Sequence, residues 1–308
     1  MIELEVDGEA LGLPKADLFF QPEFFALHRK HFPGHYFRAL DKGTVVGVSA
    51  FFAKQPGHFE SPLRGSYGGF WMPSDTKLAS LEIFVEKVTG FLIGESATRL
   101  SIVLPPLAYD PAWTSSQFAA LSDAGFRPVG WEVNQHLPLC DNPFRRTVLK
   151  EKRRQLNKLE KGGIVARIAE SDSFRTLYEL LAKGRKDDVP LSMTWPQVAE
   201  MFEAFPERVL FIEAVRDGAP IAAVLALILN ERVVYTLYYG NELGAEGSPV
   251  LVALQHLYEW SLEKGLTVLD LGASSIRGQT SHPIYDFKAS IGARPSMKFW
   301  MERDLRRG

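Results

Sequence analysis

A chain of 308 residues, 46% hydrophobic and 23% charged, has the make-up of a folded protein long enough for two cores. Its net charge of −2 excludes a global pull toward nucleic acid or membrane, so an anionic ligand must be met by a local patch. A single cysteine, Cys140, excludes an internal disulfide. The acidic start (residues 1–7) lacks a signal-peptide pattern, and no apolar run approaches the roughly 18 residues of a membrane span, so a cytoplasmic protein is expected.

In chain order, residues 35–40 read as a strand, 41–43 as a turn and 44–53 as its hairpin partner. Residues 66–71 read as a third strand whose Gly68 and Gly69 mark a bulge or a close backbone approach. Residues 76–94 are helical by period, with Leu78, Leu81, Phe84, Val88 and Leu92 on the apolar face. A buried strand (99–104), a helix (115–123) and a long strand (127–139) complete the half. The second half repeats the order: a hairpin (208–215 and 220–229), a third strand (233–239), a helix from Ser248, a buried strand (267–271), a short helix (283–288) and a last strand (296–302). Equivalent points, Thr76 and Ser248, Arg99 and Thr267, Gly125 and Gly292, are 172, 168 and 167 residues apart. Two copies of one α/β unit are expected, 1–144 and 164–308, joined by a linker helix at 145–163.

That linker holds eight cations: Arg145, Arg146, Lys150, Lys152, Arg153, Arg154, Lys158 and Lys161. Val148, Leu149, Leu156 and Leu159 give it a sparse apolar stripe, so it reads as a helix lying on the protein. It is either a solvated linker or a phosphate-contacting patch for a nucleotide, CoA or RNA. The Gly-rich loop at 243–247 leads into a helix with Ser248 as N-cap and Pro249 at the first position. A helix start after a strand is either a plain connection or an anion site built from free N–H groups and the helix dipole.

A hairpin, a third strand, a helix with an anion-binding start, a buried strand, a helix and a last strand together resemble the GNAT acyltransferase fold. The resemblance implies an acyl-CoA donor in a V between 233–239 and 267–271, with its pyrophosphate at Gly244, Gly247, Ser248 and Val250. The loop Leu243-Gly244-Ala245-Glu246-Gly247-Ser248 departs from the family's Arg/Gln-x-x-Gly-x-Gly/Ala by lacking the leading residue and carrying an acid. Tandem units of this kind are similar to the FemAB-like group, which transfers amino acids from aminoacyl-tRNA to cell-wall precursors. Three stretches carry that likeness: the basic helix ending Lys161-Gly162-Gly163, the helix opening at residues 248–255, and Tyr285-Asp286-Phe287-Lys288 followed by Ile291-Gly292. The heptad arm that some members insert has no counterpart in this sequence.

Amide formation needs a deprotonated amine, a polarised carbonyl and a proton for the leaving group. Lys288, which the resemblance places in the active site, is the first candidate for stabilising negative charge. Tyr238 and Tyr239 end the third strand facing opposite sides, so one can serve as acid while the other packs. Asp270 either orients an amine, binds Lys288 or caps the following loop; Glu242 and Glu246 are loop acids that could act through water. Arg64, Tyr67, Trp71, Arg153, Arg154 and Tyr285 are the candidate substrate contacts. Cys140 lacks a partner His at a telling spacing, the histidines form no metal pattern, and Ser274-Ser275 is no nucleophile elbow, so no metal is expected.

The expected activity is transfer of an acyl or aminoacyl group, from acyl-CoA or aminoacyl-tRNA, to a small or cell-wall-precursor-like amine. A non-catalytic module gripping a nucleotide-sugar or RNA and a simple acetyl-CoA-dependent N-acetyltransferase are the alternatives.

Overall fold

In a computed structural model of the chain, residues 2–8, 13, 15–140, 142–185, 190–276 and 278–306 are described. They pack as two compact units that are not consecutive in sequence. One holds Met1–Asn134, Ser275–Gln279 and Ser296–Gly308; the other holds Gln135–Ser274 and Thr280–Pro295.

The first unit runs β1 (Ile2–Val6), α1 (Pro22–Arg29), β2 (Gly34–Asp41), β3 (Thr44–Gln55), β4 (His58–Ser61), β5 (Phe70–Trp71), α2 (Leu78–Gly94), β6 (Arg99–Val103), α3 (Pro111–Asp123) and the start of β7 (Arg127–Pro138). The hairpin β2–β3 forms as its turn chemistry predicts, with Lys42 and Gly43 both at positive φ. The third strand is not residues 66–71. It is β4, antiparallel to β3 and parallel to β6, while only Phe70 and Trp71 of the predicted stretch pair, as β5 against β3. Helix α3 begins four residues before its predicted start, because Asp110 caps the Trp113 N–H (2.9 Å) and Pro111 opens the first turn. Phe37, Phe51, Phe70, Phe84 and Phe126 fill the core on the α2 side.

The second unit runs α4 (Phe144–Thr147), α5 (Lys150–Lys161), β8 (Val165–Ile168), α6 (Phe174–Lys183), α7 (Trp195–Ala204), β9 (Val209–Arg216), β10 (Ala219–Ile228), β11 (Val233–Asn241), α8 (Val250–Glu263) and β12 (Val268–Ala273). The two-residue strands β13 (Ser275–Ile276) and β14 (Gln279–Thr280) pair with each other, and α9 (His282–Ser290) and β15 (Arg294–Asp304) follow. The sheet order is β7-β12-β11-β10-β9-β8, with β9, β10 and β11 antiparallel and β11 parallel to β12. Helix α8 buries Val250, Leu251, Leu254, Leu257, Tyr258 and Ser261, the face its periodicity marks, against Ala222, Val224, Ala226 and Val234. Basic helix α5 lies on the unit as its stripe predicts, through buried Leu156 and Leu159. No helix among the described residues is long and apolar enough to cross a membrane.

From Ser296 onward β15 belongs to the first unit, pairing Trp300–Asp304 with Val103–Arg99 and placing fully buried Met301 in that core. Met301→Ala should therefore cost about 2–5 kcal/mol of unfolding free energy. An unchanged denaturant midpoint would mean that the strand does not pack there. Buried His28 in α1, ringed by Phe24 and Phe52, titrates at about 4, mainly because burial disfavours its charged form. The unfolded chain binds this proton near pH 6.5 and the folded one does not. Stability should thus fall by about 3 kcal/mol as pH drops from about 6.5 to 4, and that slope should flatten in His28→Gln. Chemical denaturation across this range measures it.

Candidate active site

The candidate site lies where two parallel strands stop pairing. β11 and β12 pair at Val233–Val268, Val234–Leu269 and Tyr235–Asp270 and no further, although β11 runs on to Asn241 and β12 to Ala273. At the fork the Thr236 hydroxyl donates to the Asp270 carbonyl (3.0 Å), so a side chain closes the last ladder position. The predicted V between the third and the next buried strand is present in this unit.

Lys288 is drawn to that fork. It is 1% exposed, and its Nζ donates to the carbonyls of Gly272 (2.8 Å) and Ala273 (2.9 Å) at the end of β12. Helix α9 delivers it: Pro283 sits in the first turn, and the Tyr285 carbonyl accepts from Gln135 Nε2 (3.3 Å) on β7. Gln135 is itself held by the Ser274 hydroxyl (2.5 Å). Asp270, fully buried, accepts the Gly272 N–H (2.7 Å), which is the loop-capping role among those its position allows.

The two tyrosines part as strand alternation requires. Tyr239 lies with the Lys288 helix, its ring stacked near Phe287 at 6.5 Å. Burial, with the nearby Asp270 carboxylate adding, pushes its hydroxyl far above the usual tyrosine range and keeps it a proton donor. The Tyr238 hydroxyl is turned elsewhere, bonded to Ser192 Oγ (2.6 Å) and accepting from the Met193 N–H (2.8 Å).

The expected anion cradle is built differently. Pro249, not Ser248, is the N-cap residue of α8. The three leading N–H groups of the helix are spent within the chain: Val250 on Asn241 Oδ1 (2.7 Å), Leu251 on the Ser248 carbonyl (2.9 Å) and Val252 on the Pro249 carbonyl (2.9 Å). Gly244 and Gly247 hold positive φ, and a Cβ on Gly247 would meet Leu159 of α5 at 3.3 Å. Loop residues Glu242 and Glu246 are exposed, adding negative charge where a pyrophosphate would lie. Asn241, at the end of β11, is the residue that sequence reasoning missed; an Asn nine positions ahead of the helix start gives no local capping signal.

Beside this loop, α5 shows exposed Lys150, Arg153, Arg154, Lys158 and Lys161. Arg153 also bonds back to the Val148 carbonyl (3.3 Å), and Arg145 is tied to Asn157 and Glu160. Lys152 reaches 5.3 Å over the Phe287 ring, so the basic helix touches the helix that carries Lys288.

In the first unit the equivalent fork is stitched shut. β4 ends at Ser61, and the backbone returns so that the Gly68 N–H donates to the Val103 carbonyl and the Gly69 N–H to Ser61 Oγ (both 2.8 Å). A Cβ on Gly68 would lie 2.5 Å from the Pro62 nitrogen, so only glycine allows the approach. Tyr67 is fully buried there and its hydroxyl donates to Asp17 (2.5 Å). Trp71 pairs with Val48, and Arg64 lies near His28. Among the described residues no group of three His, Cys, Asp or Glu side chains could hold a metal.

Residues 144–288 match the family profile of the Acetyltransferase (GNAT) domain. These residues form a GNAT acyltransferase domain. No curated protein sequence matches the chain significantly. Among solved structures, FemX is 12% identical, covers 96% of this chain with 94% of its own, and superposes with a TM-score of 0.75. The L-PGS of Bacillus licheniformis is 12% identical over 85% of this chain and 82% of its own, at TM-score 0.59. A tandem GNAT protein from the clavulanic acid biosynthesis pathway is 13% identical over 98% and 99%, at TM-score 0.53. At such identities these likenesses concern the fold, which is the FemAB-like tandem GNAT arrangement.

The Asn241 cap has a measurable weight. Asn241→Ala should cost about 0.5–2 kcal/mol of stability. If it also leaves acetyl-CoA unbound in calorimetry, the closed helix start is not merely a shutter over a phosphate site.

Proposed function

We propose that the second unit transfers an acyl group from an ester donor to an amine, with Lys288 at the reacting centre. The observation that carries this reading is the parting of β11 and β12 at Tyr235–Asp270 with the amino group of Lys288 buried at the fork. A carbonyl entering the fork develops negative charge on its oxygen as the amine attacks, and an amino group already held by two backbone carbonyls needs no reorganisation to donate to it. Tyr239, kept protonated by its surroundings, supplies a proton donor on the same side for the departing oxygen.

The donor is read as an aminoacyl ester on RNA in preference to acyl-CoA. The helix N–H groups that would hold a pyrophosphate are internally satisfied and two exposed acids flank them, whereas α5 offers a row of exposed cations. Arg153 and Arg154 are the proposed phosphate contacts. Gly244, Gly247, Ser248 and Val250, expected at a pyrophosphate, form the loop and helix start that lie beside α5 at Gly247. A small-molecule or cell-wall-precursor-like amine is the first acceptor class to test.

Two measurements decide this. Acetyl-CoA titrated at low salt should give no micromolar binding, while unfractionated aminoacyl-tRNA should bind with log K falling linearly in log salt. Reversing Arg153 and Arg154 to Glu should flatten that slope by at least the roughly 0.7–0.9 expected for each phosphate that is no longer neutralised. With hydroxylamine as acceptor, Lys288→Met should slow hydroxamate formation by about 10²–10³-fold. Micromolar acetyl-CoA binding would return the donor to CoA. Unchanged turnover in Lys288→Met would remove the lysine from the chemistry, and RNA binding without turnover would favour a non-catalytic module.

A further inference from the structure

Amide formation also needs a group to take the proton that the amine loses, and neither Lys288 nor a protonated Tyr239 can do so. The unit holds one imidazole whose position fits. Two contacts bracket it: the Leu139 N–H donates to the Thr267 carbonyl (2.9 Å), and the Gln135 side chain meets Ser274 (2.5 Å). They run β7 antiparallel to β12 and bring His136 beside Asp270. Alternation fixes the face. Leu137 and Leu139 on β7, and Leu269 and Leu271 on β12, all enter the core under α8, so His136 and Asp270 both point to the other side of the sheet. Tyr235, paired with Asp270 at the fork, shares that side, and its ring lies 3.6 Å from the position of a Cβ on Gly272. Across β11, β12 and β7, a tyrosine, a carboxylate and an imidazole thus form a row at the level where the strands part.

His136 Nδ1 is buried and has no hydrogen-bond partner. A buried ring nitrogen without a partner is uncommon and calls for one. We propose that this nitrogen accepts the proton of the acceptor amine, making His136 a catalytic residue of the transfer proposed above, on which this inference rests. The amine nitrogen forms its bond to the donor carbonyl carbon and the ester carbon–oxygen bond breaks. The amine proton passes to the imidazole, and the departing hydroxyl oxygen takes up one proton. Burial, helped by the Arg294 charge and opposed by that of Asp270, lowers the His136 pKa, so the ring is neutral near pH 7 and ready to accept. Asp270 then favours the imidazolium once it forms.

The test compares two amines with aminoacyl-tRNA as donor. Hydroxylamine is largely unprotonated at neutral pH and a poor case for base assistance, whereas lysine amide needs it. His136→Gln should slow transfer to lysine amide by about 10²-fold and largely spare hydroxylamine. In Asp270→Asn the acid limb of the kcat/KM profile for lysine amide should move to lower pH. Equal effects on both amines, or none on either, would overturn the role. A separate measurement does not need turnover: in protein labelled with ¹⁵N-histidine, n-butylamine should shift the His136 Nδ1 resonance. Failure of that shift overturns the proposal even where transfer proceeds. Transfer to neither amine by the unaltered protein would overturn the ester-donor reading instead, leaving the butylamine titration to decide on His136.

Discussion

The local structure of the second unit's fork depends on a ladder that stops early. Three paired positions hold β11 to β12, and beyond Tyr235–Asp270 each strand has backbone groups that the other does not take. Such groups must find partners or face water, and the chain finds them from three directions. Thr236 caps the last carbonyl of the ladder, Asp270 turns back on Gly272, and Lys288 takes the carbonyls of Gly272 and Ala273. Lys288 is therefore the side chain that satisfies the freed carbonyls at the end of β12. A buried lysine is costly unless bonded, and two short bonds to carbonyls are what make this position tolerable.

The first unit shows the alternative solution to the same problem. There the ladder between β4 and β6 also ends, but the backbone of Gly68 and Gly69 fills the gap, with Tyr67 buried behind it. One architecture thus yields a fork filled by side chains in one unit and by backbone in the other. The difference reduces to whether a main-chain segment or side chains satisfy the free carbonyls.

Much of this is legible in the sequence because it rests on local rules. The period of α8, both hairpin turns and the strand alternation at Tyr238–Tyr239 follow from residue spacing alone, whereas Lys288 stands out only through the resemblance of Tyr285-Asp286-Phe287-Lys288 to a family signature. The pair Gly68–Gly69 correctly signals a close approach, yet most of the stretch around it does not form the strand its pattern predicts. Glycine reports that backbones meet, not which backbone. The capping of α8 is not legible, since Asn241 acts across the loop from the end of another element. Nor is the destination of β15, because Arg294–Asp304 carries no mark of the sheet it joins. His136 does not stand out among seven histidines that lack a metal spacing. Its signal is the alternation of Gln135, Leu137 and Leu139, which fixes the face on which it lies.

Net charge hides a basic patch on the second unit. A chain of −2 carries on α5 a run of exposed cations that Glu151 and Glu160 of the same helix balance only in part. That helix is not a passive strap. Leu156 and Leu159 pin it to α8, Leu159 packs near Gly247 at the loop before α8, and Lys152 sits over Phe287, whose ring lies along that of Tyr239. A polyanion gathered by Arg154 and Lys158 would be held on a helix that touches both the loop and the lysine-bearing helix. Attraction at this patch falls with salt, while the bonds of Lys288 to Gly272 and Ala273 are buried and do not. The exposed patch and the buried bonds of Lys288 thus answer differently to salt, and α5 touches the helix that carries the lysine.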